Sequence, residues 1–175
     1  MENFAESFRW AGYDDGDCAT TDSKLAVWAP DVFWDEAYEW EDGSKGAYLM
    51  YYTASSTWKR SCIGVAVSKS IEGPYAHLDT LVYSGMTSKE GTDGNSKRDT
   101  KWDNDYLNFK ELIEKGSKGG GIDAVSDDWF KEDGSYNTAV APNCIDPAII
   151  KTRVGKVYLS YGSWSGGLFM LEIDP

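Results

Sequence analysis

The fold of this chain is indicated by two similar stretches of sequence, GAYLMYY at residues 46–52 and GKVYLSY at residues 155–161. Each stretch begins with a glycine, which favours a turn, and continues as an aromatic and apolar run of the kind found in buried β-strands. Both contain the pattern Tyr-Leu-x-Tyr after the glycine. They therefore predict two copies of one β-unit.

The residues on either side of these stretches extend the similarity. A proline-containing segment precedes each stretch, APDVFW at 29–34 and IDPAII at 145–150, and a glycine-containing strand follows each, IGVAV at 63–67 and GGLFM at 166–170. A short β-unit repeated in this way is typical of the blades of a β-propeller, which usually contain ~40–50 residues each. The alternative is two unrelated β-meanders that share common strand residues.

The composition limits the possible partners. The 17 Lys and Arg residues against 29 Asp and Glu residues give a formal charge of −12. Nucleic acids and anionic membranes both require clustered positive charge, so we expect neither as a partner. Trp, Tyr and Phe make up 14% of the 175 residues, which disfavours disorder and fits one globular domain. No apolar run reaches the ~18 residues that a membrane span needs.

The cysteines and the single histidine indicate no metal chemistry. Cys18, Cys62 and Cys144 show no CxxC spacing, so neither a zinc ribbon nor a dense disulfide framework is predicted. Three reduced thiols are favoured over one disulfide plus a free thiol. His77, the only histidine, excludes an HExxH motif, and its position shortly after Pro74 predicts a surface turn. The N-terminal residues show neither a basic region nor an apolar core, so no signal peptide is visible.

Between the two units lies a segment, residues 85–141, that is rich in Gly, Asp, Lys, Ser and Asn. Residues 105–116 are predicted to form a short helix, because Tyr106, Phe109 and Ile113 would share one face. We interpret the whole segment as an insertion between strands. Long loops of this kind are often functional, although an inert surface excursion fits equally well.

Three side chains are candidates for a ligand site. Asp146 stands before a rigid proline at the mouth of an apolar strand, and inner-strand ends face the central channel of a propeller, where a fixed carboxylate can meet a ligand. From the pattern alone, an ordinary Asp-Pro turn is the favoured interpretation. Trp28 is a candidate for packing on a sugar ring, although a core tryptophan is the commoner case. Trp164 lies in a tight Gly/Ser loop, where it is less easily buried.

Four motifs carry a resemblance in combination. They are WAPDV at 28–32, IGVAVS at 63–68 with Gly73-Pro74 after it, NCIDP at 143–147, and YLSYGSWSGG at 158–167. Together they resemble glycoside hydrolase family 43, in particular the endo-α-1,5-L-arabinanases, which are five-bladed β-propellers. The resemblance covers residues 28–173 apart from the insertion, and it implies an all-β fold.

Length implies that the propeller is partial. Five blades of ~50–60 residues need roughly 250–300 residues, so this chain supplies about two blades and part of another. We interpret it as a piece of a larger enzyme, an incomplete propeller catalytic domain. The predicted divisions are the end of a preceding blade (1–27), blade II (28–84), the insertion (85–141) and a truncated blade III (142–175).

The resemblance implies an inverting glycosidase, in which one carboxylate activates water and a second protonates the leaving oxygen. Asp146 matches a third aspartate of the family, whose negative charge raises the pKa of the acid and which holds the acid in place. The family's general base, expected upstream of Trp28, and its general acid, a Glu of the fourth blade, have no recognisable counterpart here. We therefore expect the chain alone to be inactive. Asp31 receives no catalytic role from the resemblance.

The resemblance also implies the partners. We expect arabinan or a related pentose oligosaccharide as the ligand, bound by Trp28, Trp164 and, more weakly indicated, Asn143, and either a complementing propeller chain or self-association. We predict no cofactor and no metal site from this chain alone, although a central metal ion is common in related propellers. Secretion is slightly favoured. The alternatives are a non-catalytic carbohydrate-binding or interaction module, and a fragment of a β-xylosidase or α-L-arabinofuranosidase.

Overall fold

A computed structural model describes residues 5–11, 26–56, 60–88, 100–101, 126–163 and 166–173. These residues form two antiparallel sheets, one short α-helix and one turn of 3₁₀-helix (Asp127–Trp129). The helix is α1 (Ala5–Trp10). The first sheet contains β1 (Ala26–Glu39), β2 (Lys45–Ser55), β3 (Ser61–Ser68) and β4 (Ala76–Ser84), and the second contains β5 (Ala148–Lys151), β6 (Val157–Tyr161) and β7 (Phe169–Ile173).

Each sheet is a meander in which strands that follow one another along the chain are also neighbours in the sheet. Propeller blades have this construction. The first strands of the two sheets lie side by side. The N–H of Ile149 donates to Asp31 Oδ2 at 2.7 Å, and further along Lys151 Nζ lies 4.0 Å from Glu36 Oε1. Because these contacts advance in the same direction on both strands, β1 and β5 are the inner strands of neighbouring blades, which confirms the predicted all-β partial propeller.

The two inner hairpins use the same five-residue turn. In the β1–β2 turn the N–H of Trp40 donates to Ser44 O and the N–H of Gly43 donates back to Trp40 O. In the β5–β6 turn Thr152 and Gly155 make the equivalent bonds. Each glycine has a positive φ, +78° and +86°, which a side chain would strain. The two hairpins therefore share one local structure, which residues 131–135 of the predicted insertion also form.

The entries to the two inner strands are also alike. Ala29 and Asp146 each precede a proline, and each has a positive φ, +33° and +53° respectively. A residue before proline ordinarily adopts an extended conformation, and residues other than glycine seldom adopt a positive φ. The same uncommon backbone therefore occurs at equivalent positions of the two units.

An apolar core lies between the two sheets. Leu159, which is fully buried, belongs to a cluster that draws residues from both sheets. Its buried members are Ala47, Leu49, Tyr51, Ile63, Val65, Val67, Val82, Cys144, Leu159 and Tyr161, and Phe169, Leu171 and Ile173 of β7 pack against them. This cluster uses the odd-numbered residues of β2 and β3, because successive side chains of a strand point to opposite faces.

The opposite face of the first sheet is covered as well. Trp10 of α1 is fully buried there, and its Nε1–H donates to the carbonyl oxygens of Ser61 (3.1 Å) and Ser84 (3.2 Å). Met86 and Tyr136, from the two ends of the predicted insertion, belong to the same cluster. Burial on both faces explains why every residue of β3 is buried and why its sequence does not alternate between polar and apolar residues.

The structure can also be compared with other predictions from the sequence. The prediction of a surface turn at His77 is wrong, because His77 lies within β4, is half-buried and has its Nδ1 3.0 Å from the hydroxyl of Tyr52. Cys62 and Cys144 are buried, and Cys144 is a free thiol. The helix predicted at 105–116 and Cys18 lie outside the described residues. The assignment of 1–27 to a preceding blade stays a prediction. No described helix is long and apolar enough to cross a membrane.

The core between the sheets can be tested by substitution. Leu159→Ala is expected to lower the free energy of unfolding by about 2–5 kcal/mol, because it leaves a cavity where the two sheets meet. Leu168→Ala is the matched control, since Leu168 is 76% exposed and its loss should change stability by about 0.5 kcal/mol or less. Urea denaturation measures both. Equal effects of the two substitutions would contradict this description of the core.

Candidate functional site

The Asp146 side chain is exposed to solvent at the entry to β5. The hydroxyl of Ser163 donates a hydrogen bond to Asp146 Oδ2 at 2.8 Å. The backbone at Asp146 is left-handed, a conformation that aspartate tolerates better than most residues. An exposed carboxylate with a hydrogen-bonded orientation can contact a ligand and still keep a defined geometry.

The backbone around Asp146 is held by side chains of the first sheet. The N–H of Cys144 donates to Ser84 Oγ at 3.0 Å, and the N–H of Asp146 donates to Thr53 Oγ1 at 3.2 Å. The N–H of Ile149 donates to Asp31 Oδ2 at 2.7 Å. Three strands of one sheet thus supply acceptors to one short segment that leads into the other sheet.

The two described ends of the Gly/Ser loop, at Gly162 and Gly166, lie against the segment that leads to Asp146. The N–H of Gly162 donates to Ile145 O at 2.8 Å, and the N–H of Gly166 donates to Ala139 O at 3.3 Å. A Cβ on Gly166 would clash with the backbone oxygen of Ala141, so only glycine fits at this approach. This packing is what brings Ser163 to Asp146. Trp164, which the sequence predicts as a sugar-binding residue, lies outside the described residues.

Trp28 lies close to Asp146 through a shared neighbour. Trp28 pairs with Thr53 across β1 and β2, and the same Thr53 accepts the N–H of Asp146. The register of β1 against β2 shifts immediately after Trp28. The Trp28 side chain is 36% exposed, so part of its ring is open to a ligand. The core tryptophan that was the alternative for this position does not describe it.

Asn143 lies in the same segment as Asp146 and is half-buried. Its backbone oxygen accepts the N–H of Ile145 at 2.9 Å, and it faces the position where a Cβ on Gly162 would be, at 3.5 Å. The hydroxyl of Tyr136 donates to the neighbouring Pro142 O at 2.5 Å. These contacts fix the backbone at Asn143, and its use as a substrate ligand stays a prediction.

The groups buried beneath the site are neutral. Burial raises the pKa of the Cys144 thiol and of the Tyr161 hydroxyl, and it raises the pKa of Tyr136 well above the ordinary value. The Cys144 thiol is therefore protonated and inert at ordinary pH, because the thiolate is the reactive form of cysteine. Among the described residues, the acidic side chains at this end of the inner strands, Asp31 and Asp146, are the groups available for charge interactions.

The described part of the chain contains no group of three or more His, Cys, Asp or Glu side chains arranged to hold a metal ion. The expectation that this chain alone makes no metal site stays a prediction, as does the absence of a cofactor.

Sequence analysis missed Thr53, Ser84 and Ser163 as parts of the site. A signal exists for Thr53, because it follows the aromatic and apolar run of β2 and buried polar groups need partners. Ser84 ends a strand that contains several other polar residues, so it does not stand out in the sequence. Ser163 stands in the loop that was singled out only for Trp164. Asp31 received no catalytic role from the resemblance, and its contact with β5 was not predicted.

Comparison with known proteins adds two kinds of similarity, although no family model matches the chain. The extracellular endo-α-(1→5)-L-arabinanase of Thermotoga petrophila is 32% identical over 151 residues, which is 85% of this chain. The extracellular endo-α-(1→5)-L-arabinanase 2 of Bacillus subtilis is 29% identical over 177 residues, or 99% of this chain. The resemblance to family 43 arabinanases is confirmed.

Solved structures agree. The crystal structure of the endo-1,5-α-L-arabinanase from Thermotoga petrophila is similar to this chain, with a TM-score of 0.50 and 30% identity. The match covers 85% of this chain and 24% of the arabinanase. The structure of a glycoside hydrolase family 43 protein from Bacillus licheniformis is also similar, with a TM-score of 0.52 and 29% identity. The match covers 97% of this chain and 25% of that protein. This chain spans 22% and 25% of the lengths of the two arabinanase relatives.

The hydrogen bond from Asp146 to Thr53 predicts a local effect. Thr53→Val keeps the side-chain shape and removes the acceptor, which leaves a backbone N–H unsatisfied at a cost of about 1–3 kcal/mol. We expect the amide of Asp146 to exchange with solvent about tenfold faster or more. Thr53→Ser keeps the hydroxyl and is expected to preserve the protection. Hydrogen exchange followed by NMR measures both, and equal protection in Thr53→Val and wild type would refute the role of Thr53.

Proposed function

We propose that this chain forms part of an inverting glycoside hydrolase that cleaves arabinan or a related pentose polysaccharide. The observation that carries the proposal is the exposed Asp146 carboxylate, which stands at the entry of an inner strand and is oriented by Ser163. The names of the relatives, which are arabinanases, support the same class of substrate.

Asp146 is assigned an indirect part in the reaction. Inverting glycosidases place a general acid and a general base ~6.5–9.5 Å apart, so that a water molecule fits between the base and the sugar. A third carboxylate beside the acid favours its protonated form, because like charges oppose ionisation. In this proposal the acid and the base come from polypeptide outside these 175 residues, and Asp146 orients the acid and keeps it protonated.

Trp28 is assigned to sugar binding, together with Trp164 and Asn143. A pentose ring presents apolar C–H groups on its faces, and an exposed indole ring offers a flat apolar surface with a polar N–H at its edge. Trp28 is both exposed and adjacent to Thr53, which touches Asp146. A neutral polysaccharide is also compatible with the net charge of −12, since it carries no phosphate or carboxylate that would be repelled.

We also propose that the protein acts outside the cell, because the two arabinanase relatives are named extracellular and a plant polysaccharide is an extracellular substrate.

Sugar binding can be measured on the isolated chain. Calorimetry with an α-1,5-arabino-oligosaccharide is expected to detect binding that Trp28→Ala weakens several-fold, because the apolar platform is lost. Trp34→Ala is the matched control, since Trp34 is also a partly exposed tryptophan of β1 (47%) but lies further along the strand, where its ring packs at a tilt against Tyr48. Equal losses in both variants, or no binding by the wild type, would count against a sugar site at Trp28.

Hydrolysis provides a separate test. The pure chain is expected to release no reducing sugar from debranched arabinan, because the acid and the base are supplied from elsewhere. When a polypeptide that carries the missing blades restores activity, Asp146→Asn is expected to lower kcat far more than it raises KM. Turnover by the pure chain would overturn this division of roles. Sugar binding that no added blade polypeptide converts into turnover would favour a binding module.

A further inference from the structure

Asp31 makes the shortest of the hydrogen bonds that the first sheet offers to the segment around Asp146. Its Oδ2 accepts the N–H of Ile149 at 2.7 Å, and the two residues are 118 positions apart in the chain. A hydrogen bond to a carboxylate is roughly twice as strong as one between neutral groups. Asp31 also begins the regular pairing of β1 with β2 after the register shift, which places its side chain on a well-supported strand.

The contact with Ile149 acts on Asp146 through a short and stiff connection. Between the two donors to the first sheet, Asp146 N–H and Ile149 N–H, lies Pro147, whose ring fixes φ and which has no N–H of its own. The backbone from 146 to 149 is therefore anchored at both ends to the first sheet. Without the hydrogen bond at Ile149, the orientation of the Asp146 side chain would depend on the hydrogen bonds with Thr53 and Ser163.

The Asp31 carboxylate bonds to β5 on the side of that strand that does not pair with β6. Within the described part of the chain, β5 is an edge strand of its sheet and pairs only with β6. An unpaired N–H on an edge strand bonds to water or to a passing group, and neither fixes the strand in place. A carboxylate from the neighbouring inner strand gives that N–H one acceptor at one position. The contact thus sets the spacing of the two inner strands at the level of Asp146 and Trp28.

We propose that Asp31 is a positioning residue for Asp146, which it acts on through the backbone of Ile149. The proposal rests on the proposed function for its catalytic meaning, but the positioning itself is a property of this chain and can be measured without substrate. A residue that merely braced the two sheets would change stability and leave the conformation of the Asp146 side chain in the folded protein unchanged.

The experiment compares Asp31→Ala, Asp31→Asn and Glu36→Gln in the isotopically labelled 175-residue chain. Glu36→Gln is the matched control, because Glu36 is also an acidic residue of β1 that contacts β5, through Lys151 at 4.0 Å, and lies on the exposed surface. Three-bond NMR couplings report the χ1 torsion of Asp146, the amide proton shift of Ile149 reports the hydrogen bond, and thermal denaturation reports stability. Calorimetry with an arabino-oligosaccharide reports affinity.

Asp31→Ala is expected to move the Ile149 amide proton upfield and to average the χ1 torsion of Asp146 between rotamers, while sugar affinity, which the proposed function assigns to Trp28, changes little. Asp31→Asn keeps an acceptor oxygen, so it should preserve one χ1 rotamer and most of the affinity. Glu36→Gln should change neither. If Asp31→Ala does not fold, Asp31→Leu takes its place, because leucine fills a similar volume without an acceptor: an averaged Asp146 χ1 torsion in Asp31→Leu supports the proposal, and unchanged χ1 couplings overturn it.

The result that overturns the proposal is an Asp31→Ala chain in which the Ile149 amide has moved but the Asp146 torsion is unchanged. The failure of the proposed function looks different. If the wild-type chain binds no arabino-oligosaccharide, the sugar site is wrong, and the couplings of Asp146 still decide whether Asp31 positions it. If the wild type and Asp31→Ala bind equally and the couplings are equal, the sugar site stands and the positioning role fails.

Discussion

The structure depends on the acceptors that one sheet provides for the backbone N–H groups of another. The chain from Cys144 to Pro147 runs along the first sheet before β5 begins to pair with β6 at Ala148, and the N–H groups of Cys144, Asp146 and Ile149 find their acceptors in the first sheet. Ser84, Thr53 and Asp31 accept them. Unpaired buried donors are costly, and this requirement is met by side chains whose positions are fixed by three different strands.

The two sheets are joined by hydrogen bonds, which are directional, and by apolar contacts, which are not. The cluster around Leu159 stabilises the pair by burial, which depends on area and has little directional preference. The hydrogen bonds at the entry to β5 require donors and acceptors at defined distances and angles. The relative position of the sheets is therefore set most sharply at the end that carries Asp146, and the apolar core supplies most of the stability behind it.

The strands that have a local signal in the sequence could be predicted. The aromatic and apolar pattern at 46–52 and 155–161 predicted the strands that became β2 and β6, and the proline-containing segments marked the entries of the inner strands. The acceptors could not be predicted from pattern, because Asp31, Thr53 and Ser84 lie 118, 93 and 60 residues from their donors. Such pairs are fixed only when the sheets dock.

The error at His77 has a local cause. Gly73-Pro74 is a strong turn signal, and the turn it forms is present, but β4 begins at Ala76, immediately before the histidine. His77 then lies opposite Ala66 of β3, within reach of the hydroxyl of Tyr52. A turn signal in the sequence predicts that the chain reverses. It predicts the first residue of the next strand less well, because that boundary depends on pairing with the neighbouring strand.

The two units keep the same backbone and differ in what they place on it. Ala29 and Asp146 occupy equivalent left-handed positions before proline, yet only the second carries a carboxylate. A strained conformation is retained where the surroundings over-determine it, and here Thr53 and Ser163 hold Asp146 in place. In the first unit the acidic residue stands two positions later, at Asp31, and points its carboxylate at the second unit's backbone. One unit thus presents the carboxylate, and the other supplies the acceptors that fix its position.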